Sequence, residues 1–539
     1  MRYIEGLDRA QIVLFQESLD ELVLENNPVR VIDAFVEYLD LEVLGFKKVK
    51  TDVSVAGAPS YNPKALIKLY LYGYFEKIRS SRRLMKLCIT NIEVMWLIGR
   101  IEPDFRTIAD FRKENAEALK KVFKEFVKLC AKLGLYNTEA AVQDGSKFRA
   151  DNSKDNNITE AKLAKKMELA EEKLQKYLDE MDRLDKEERV SPKFTTVEIA
   201  SKIEAVKEQI IRYNELQNEM KEKRVTQLSY TDPESKLMKS ANGGFDVAYN
   251  VQIAVDPKSH MVGAVEVTDH CNDMGQLMPV ITELKEDLGV DTIEVTADKG
   301  FEDSADMVEC LKNGIIPHVP RKSGEESYEF EIKYKEAEIT EAIQGSTKSA
   351  DIQKCLEAGV LPDCYKDKGI EMSLTEKEEH ITDEHMCLML NEAGTAIICP
   401  EGNELRKTAQ LVKKDRTRYA NRAACSACKN KCTTSKIKQI DLKPGQTVYY
   451  MKKRQTIIKV KIKLTPNKEK IAGRKTVAEH PFGTVKRWYD GAYTLLRGKV
   501  KVAADLSLLF LGYNLKRAIN MMGVEELIKN IMDIRAITA

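Results

Sequence analysis

Between Phe245 and Pro320 the apolar residues change period repeatedly, and this constrains the fold more than any other feature of the chain. Phe245 to Val255 alternates at period two, Asp256-Pro257-Lys258-Ser259 is a turn, and Met261 to Val267 alternates again, which predicts a β-hairpin. Asp273 to Leu288 is amphipathic at helical spacing. Thr292 to Ala297 is a short buried strand ending at Asp298. Ser304 is expected to cap a helix that runs through Leu311 and stops at Gly314, and Ile315 to Pro320 is a further strand. Another strand, over 138–150, ends in Asp144-Gly145-Ser146. The order strand, strand, strand, helix, strand, helix, strand predicts an α/β domain built on a mixed sheet with flanking helices.

The chain has 539 residues, too many for one simple domain. Residues 1–135 read as an N-terminal helical domain: Val29, Ile32 and Val36 keep helical spacing, Asn62-Pro63 opens a helix with Leu69, Tyr72, Phe75 and Ile78 on one stripe, and Asp104 precedes another. Arg79, Arg82 and Arg83 cluster there, either as a solvated basic edge or as contacts to DNA phosphates. Residues 136–155 hold the first strand of the sheet. In 156–226, Leu163, Met167, Ala170, Leu174, Tyr177, Met181 and Leu184 step by four and three, a heptad seam. Ser191-Pro192 breaks it, and Ile199, Ile203, Val206, Ile210 and Leu216 form a second arm, so a helical hairpin is expected, as a structural or oligomerising device. Residues 227–320 complete the sheet, 321–467 read as an inserted subdomain, and 468–539 as C-terminal helices. Over 493–523, Leu495, Val502, Leu506, Leu509 and Tyr513 give an apolar face, with Gly512 allowing close packing onto the sheet.

The net charge of +1 points to no partner by itself. The local excess does: from Lys436 to Arg487 there are fifteen Lys or Arg against Asp441, Glu469 and Glu479, a density that suits a polyanion. Tyr449, Tyr450, Trp488 and Tyr489 add aromatic surface for stacking on unpaired bases. No apolar run of about 18 residues is present, so no membrane span is expected. The start, Met1 to Gly6, lacks a secretion signal, and eleven cysteines, an odd number, suggest reduced thiols in a cytosol. Cys425-x-x-Cys428-x-x-x-Cys432, with Cys399-Pro400-Glu401-Gly402 upstream, suits four thiolates around Zn²⁺; the alternative is four reduced thiols in a small β-rich subdomain. His380 and His385 read as surface residues, and His270, His318 and His480 as neighbours of the expected sheet and a C-terminal helix.

Asp144 and Asp298 end strands that would be adjacent if they pair, and Glu479 lies in Val477 to Trp488 with Lys486 two helical turns on, so both point the same way. Three carboxylates on rigid elements can hold two Mg²⁺ or Mn²⁺, which activate the attacking oxygen and stabilise the leaving oxygen of a phosphodiester. Lys486 would then contact a phosphate. With 85 acidic residues in the chain, spacing alone does not single out this triple.

Asp144-Gly145-Ser146-Lys147, Tyr249 to Asp256, Ala297-Asp298-Lys299-Gly300-Phe301 and Glu479 to Arg487 together resemble the DDE transposases of bacterial insertion sequences, most closely the assemblage of insertion-sequence families four and five. Asp104 to Arg112 is similar to the family's N-terminal helical, DNA-binding domain, and Leu496 to Val500 with Tyr513 to Arg517 to its C-terminal end. The resemblance implies an RNase H-like core, Asp144, Asp298 and Glu479 as catalytic ligands of two metal ions, cleavage at element ends, and joining of 3′ hydroxyls to target DNA by a dimer on double-stranded DNA in a bacterial cytoplasm, at the nucleoid. The family's Tyr–Arg–Glu–Lys signature is kept only at Glu479 and Lys486. Lys475 stands at the Arg position with Arg474 beside it, and Ala472 at the Tyr position. Phosphate contact is therefore expected from Lys486 and from Arg474 or Lys475, with Arg487 and Trp488 on the same helix. The rival readings are an RNase H-like nuclease or resolvase that cuts without joining, a catalytically retired DNA-binding protein, and a coiled-coil scaffold.

Overall fold

The computed structural model describes residues 18–49, 60–153, 157–186, 196–229, 231–240, 243–429, 431–433 and 435–538. Met1 to Gly6 and Ser191-Pro192 lie outside these residues, as do the side chains of Leu184, His380 and His385. The chain divides into two compact units. One comprises Met1–Glu326, Thr347–Ser349 and Pro466–Ala539; the other comprises Ser327–Ser346 and Ala350–Thr465.

The first unit is built on a mixed sheet. Strand β1 (Ala140–Arg149) pairs antiparallel with β2 (Phe245–Val255), which pairs antiparallel with β3 (Val262–Thr268). On its other edge β1 pairs in parallel with β4 (Ile293–Thr296), and β4 with β5 (Ile315–His318). The order is therefore β3-β2-β1-β4-β5, with a short strand, Lys236–Lys239, beside the start of β2. The alternation of the sequence makes these strands, and β2 is buried on both faces from Val247 to Val255 because helices cover each side. Two boundaries differ from expectation. The helix after β3, α7 below, starts at Leu277 and leaves Asp273 in the preceding loop, and Asp303 rather than Ser304 caps Ser304–Lys312. A carboxylate accepts the two first amides there, at Ala305 and Asp306, and satisfies donors that Ser304, already helical, does not.

In the N-terminal part, α1 (Val29–Tyr38), α2 (Pro63–Phe75), α3 (Phe105–Glu114) and α4 (Ala116–Lys132) share one apolar core with the sheet and the C-terminal helices. Two 27-residue helices, α5 (Glu160–Lys186) and α6 (Thr196–Glu222), pack against each other and are clamped at one end by the paired strands Asn157–Thr159 and Gln227–Ser229. Ile158, Leu163, Leu216 and Met220 bury together there. Next come α7 (Leu277–Leu288) and α8 (Ser304–Lys312), then α9 (Lys468–Trp488), α10 (Lys499–Met522) and α11 (Val524–Thr538). Helix α10 begins at Lys499, six residues later than the expected 493, and from Val502 to Leu515 it is buried all round rather than on one face. Gly512 serves a different neighbour from the one expected: a Cβ there would stand 2.9 Å from the Tyr74 carbonyl carbon, so the close packing is against α2.

Arg79 corrects the reading of the Arg79, Arg82 and Arg83 cluster as a shared basic edge. Its side chain is buried, pairs with Asp505 of α10 at 2.6 Å, and donates to the carbonyls of Asp490 and Tyr493. Arg112 pairs with the same carboxylate at 3.0 Å, and the Tyr74 hydroxyl bonds it too. The two guanidiniums hold the fully buried Asp505 below the usual carboxylate range against the cost of burial. Arg82 and Arg83 remain exposed.

The second unit is more regular than its composition suggests. Ile370–Met389 and Val448–Leu464 form a long antiparallel ribbon, with Tyr328–Lys333 on the far edge of the latter. A four-stranded sheet over 396–442 joins it in sequence. The Glu-rich strand was hidden in the sequence because its stabilising partner is a Lys-rich one. Lys463 pairs with Glu371 at 3.1 Å, while Lys459 and Lys461 on the same strand pair with Glu331 and Glu329 at 3.0 and 2.8 Å. Among the described residues no helix is long and apolar enough to cross a membrane.

Candidate active site

The parallel register Val142–Thr296 fixes the first two carboxylates. Asp144 and Asp298 each stand two residues further on, so period two returns both to one face; Asp298 follows the end of β4, but Asp144, expected at a strand end, lies inside β1, which stays paired with β2 as far as Arg149. Asp144 Oδ1 accepts the Gly145 amide at 3.0 Å. Asp298 caps the single turn Lys299–Phe301 and accepts the Gly300 amide at 2.6 Å. Burial, chiefly, pushes Asp144 up to about 6; Arg474 and the Gly145 amide oppose this, and the charges of Asp298 and Asp273 add to it.

Helix α9 brings the cations. Asn467 caps it, accepting the amides of Glu469 and Lys470. The Asn467 amide donates to His318 Nδ1 at 3.2 Å, His318 Nε2 meets Glu294 at 2.7 Å, and Lys470 pairs with the same carboxylate. The helix is thereby tied to β4 and β5 just before the site. Arg474 Nη1 stands 3.8 Å from Asp144 Oδ1. Lys486 Nζ donates to Ser146 Oγ at 2.6 Å and to the Lys147 carbonyl at 2.8 Å, over the Phe148 ring. Burial pulls Lys486 down to about 8, against the pull of Asp144.

The other residues singled out on this helix point elsewhere. Glu479 is 63% exposed and faces Lys475 at 3.9 Å, so it is not gathered with Asp144 and Asp298. Lys475, Arg487 and Trp488 lie on the exposed side, with Lys77 Nζ over the Trp488 ring. His480 bonds the Tyr513 hydroxyl at 2.9 Å, and that hydroxyl donates to the His260 carbonyl.

Asp273 was not foreseen. Its Oδ1 accepts the side-chain amides of Asn250 and Gln252 at 2.8 and 2.6 Å. Gly145 faces Gln252 across the β1–β2 ladder, and a Cβ on Gly145 would collide with Asp273. The only hint in the sequence was that glycine beside an acidic strand end.

In the second unit, Cys399, Cys425, Cys428 and Cys432 line one small pocket. The Asn403 amide donates to Cys399 Sγ at 3.3 Å. Burial, with Cys399 and Cys425 adding to it against Lys438, holds the Cys432 thiol above its ordinary range. Among the described residues no three His, Cys, Asp or Glu side chains are set around a common metal position, at either site.

Two family models match the chain: a transposase domain (DUF772) over residues 17–114 and a transposase DDE domain over residues 398–519. The chain thus carries two regions similar to transposase domains, the second of them a DDE domain. The second match takes in Arg474, Glu479 and Lys486 of this chain together with its four clustered cysteines, while Asp144 and Asp298 lie outside both. No curated protein and no solved structure matched it.

Proposed function

We propose that this chain is a transposase that cuts DNA at the ends of its element and joins the freed 3′ hydroxyls to target DNA, using Asp144, Asp298 and Glu479 on an RNase H-like core. The observation that carries the reading is the placing of Asp144 and Asp298 side by side on parallel neighbours, with Arg474 of the Glu479 helix against Asp144. The strand order, three antiparallel strands followed by two parallel ones, supports the RNase H-like reading.

The donor set fits hard divalent cations. The acids offer oxygen alone, glycines at 145 and 300 leave room where a Cβ would press on carboxylate oxygens, and the burial that raises the proton affinity of Asp144 is what a cation would offset. Asp144, Asp298 and Glu479 would hold the Mg²⁺ or Mn²⁺ ions. Glu479 has only a long, exposed contact with Lys475 to give up, which costs little. Two bound ions would supply Lewis acidity at the attacking and leaving oxygens. Lys486 places an ammonium beside Asp144, where it can grip a phosphate oxygen, and Arg474 can serve both Asp144 and the strand being cut. Lys475, Arg487 and Trp488 would follow the DNA along the exposed side of α9.

A homodimer on double-stranded DNA and a place in the bacterial cytoplasm, at the nucleoid, complete the proposal. The shared pocket of Cys399, Cys425, Cys428 and Cys432, with an amide already on one sulfur, supports a structural Zn²⁺ in the second unit. Metal analysis of protein purified without chelator should find about one zinc per chain; a zinc-free, fully folded protein would rule it out.

One rival has an observation behind it: the exposed Glu479 is also what a retired, DNA-binding copy would show. A cleavage and joining assay decides between them. Labelled DNA carrying the flanking ends of its own gene, with Mg²⁺ or Mn²⁺, should be nicked and joined by the wild type, and bound but left uncut by Asp298→Asn. Cutting without joined product would favour the nuclease or resolvase, and binding without cutting by the wild type would favour the retired protein.

A further inference from the structure

The second unit carries cations that the proposed chemistry leaves unused. Strands Glu404–Leu411 and Arg416–Ala420 form an antiparallel hairpin closed by the turn Val412–Lys414. Its base is anchored, with Leu405 and Tyr419 buried against Ile397, Ile440 and Leu442. Its outer half is not. The first strand pairs with Ala396–Ile398 only as far as Arg406, and from Lys407 to Gln410 every residue is exposed, whichever face of the strand it lies on. Thr408 is an extra residue in the ladder, between Lys407 opposite Tyr419 and Ala409 opposite Arg418, and such a bulge bends and twists the strand. Asp415, at φ 45°, returns the chain through the left-handed region. Val412, at the tip, is 84% exposed.

The charge of this hairpin is not balanced. From Glu404 to Arg422 there are seven Lys or Arg against Glu404 and Asp415. Arg406 pairs with Glu404 at 3.1 Å, and Arg418 with Asp441 of the adjoining strand at 2.7 Å. Lys407, Lys413, Lys414, Arg416 and Arg422 form no ion pair among the described residues. Arg416 lies on the face of Arg418 by period two. Hydrogen bonds from Arg418, followed by the charges of Arg418, Arg416 and Lys414, hold Asp441 below its ordinary range, so one carboxylate serves three cations. Lysines that only hold strands in register, such as Lys459, Lys461 and Lys463, each come with a glutamate. Unbalanced cations on an exposed strand pair suit a polyanion. Duplex DNA fits the shape: its major groove admits a two-stranded β-hairpin, whereas the deep, narrow major groove of A-form RNA does not. An apolar tip has no use for phosphate but can meet base edges, including the methyl group of thymine.

We propose that the hairpin Glu404–Ala420 enters the major groove of duplex DNA, with Lys407, Lys413, Lys414 and Arg416 on the flanking phosphates and Val412 against the base edges. The inference rests on the reading of the chain as a protein that acts on DNA, and the test separates the two claims. Binding of the full chain to a labelled element-end duplex, without added divalent metal, would be measured by fluorescence anisotropy over a range of salt concentrations, with melting temperature alongside. In the double variant Lys413→Ala/Lys414→Ala the slope of log affinity against log salt should shrink by about 1.8, since each lost phosphate contact removes about 0.9. Val412→Ser should weaken binding about 10-fold and leave the slope unchanged. These side chains are exposed, so both variants should melt with the wild type. Guanine N7, a major-groove atom, should be shielded from methylation by the wild type and open again in the double variant. Wild-type affinity and slope in the folded variants would overturn the role of the hairpin alone. So would an equal loss of binding to duplex RNA, which would make the hairpin a general polyanion contact. Self-association of Lys407→Ala with its DNA affinity and slope intact would show cations that only guard an open strand edge, and would overturn the role as well. Failure of the wild type itself to bind duplex DNA would overturn the DNA reading and this inference with it.

Discussion

Lys459, Lys461 and Lys463 on the second unit's ribbon and Arg474 and Lys486 on α9 belong to one basic run in the sequence, and the fold gives them opposite surroundings. Each ribbon lysine meets a glutamate on a neighbouring strand, so the strand face is close to neutral. Arg474 is turned toward Asp144 and Lys486 donates to Ser146 and the Lys147 carbonyl on the same strand, and burial lowers the proton affinity of Lys486 rather than leaving it a surface charge. A run of like charge therefore says little until the opposing element is known. The ribbon charges hold strands in register, and the helix charges sit where a phosphate would arrive. Arg79 adds a third outcome, a guanidinium buried for the sake of the fold.

The largest effect is expected at that third kind. Asp505→Ala would leave Arg79 and Arg112 buried without their carboxylate, at a cost of about 3–5 kcal/mol, read by urea denaturation. A loss no larger than that of an exposed ion pair would show that water reaches the cluster. Next comes Lys486→Ala, expected to slow end cleavage about 10²- to 10³-fold with little change in melting temperature. The pH dependence sharpens this. The ammonium is charged below about 8 and neutral above, so the wild-type advantage over Lys486→Ala should shrink as pH rises through that value. A ratio constant with pH would mean that the charge is not what matters.

Asp287 offers a smaller test of burial against pairing. Burial pushes it up to about 6 although Lys124 and Lys128 pull the other way, and Lys128 stands 3.8 Å away. A carboxyl raised above its ordinary value supports the fold fully only at low pH and loses that support as pH rises through about 6. Asp287→Asn should thus raise the melting temperature near about pH 8 and leave it unchanged near about pH 4; lower stability at the higher pH would show that the lysines outweigh burial. The smallest effect belongs to the ribbon: Lys461→Ala should alter stability by about 0.5 kcal/mol or less and leave DNA affinity unchanged. A clear loss of DNA affinity would return the ribbon to the DNA-binding surface.

The sheet was legible because its strands alternate cleanly, whereas Asp144 and Asp298 were singled out by the family resemblance, since spacing alone does not choose them among 85 acidic residues. Asp273 was not legible, since a loop aspartate among 85 acidic residues gains meaning only through the β1–β2 register that sets Gly145 opposite Gln252. The strand Ile370–Met389 was missed because glutamates carry little strand propensity until lysines stand across from them. Arg79 was misjudged because its partner, Asp505, is 426 residues away. Glu479 stands at the position expected of a third acid, yet its rotamer faces Lys475, and only a bound cation gives a carboxylate reason to turn inward.

Anomalous scattering from crystals of the protein grown with Mn²⁺ and element-end DNA tests the central claim most directly. The account predicts manganese peaks at Asp144 and Asp298, with Glu479 turned away from Lys475 to join them. Ordered DNA with no manganese at these aspartates, or with manganese bound elsewhere and Glu479 still facing Lys475, would contradict it.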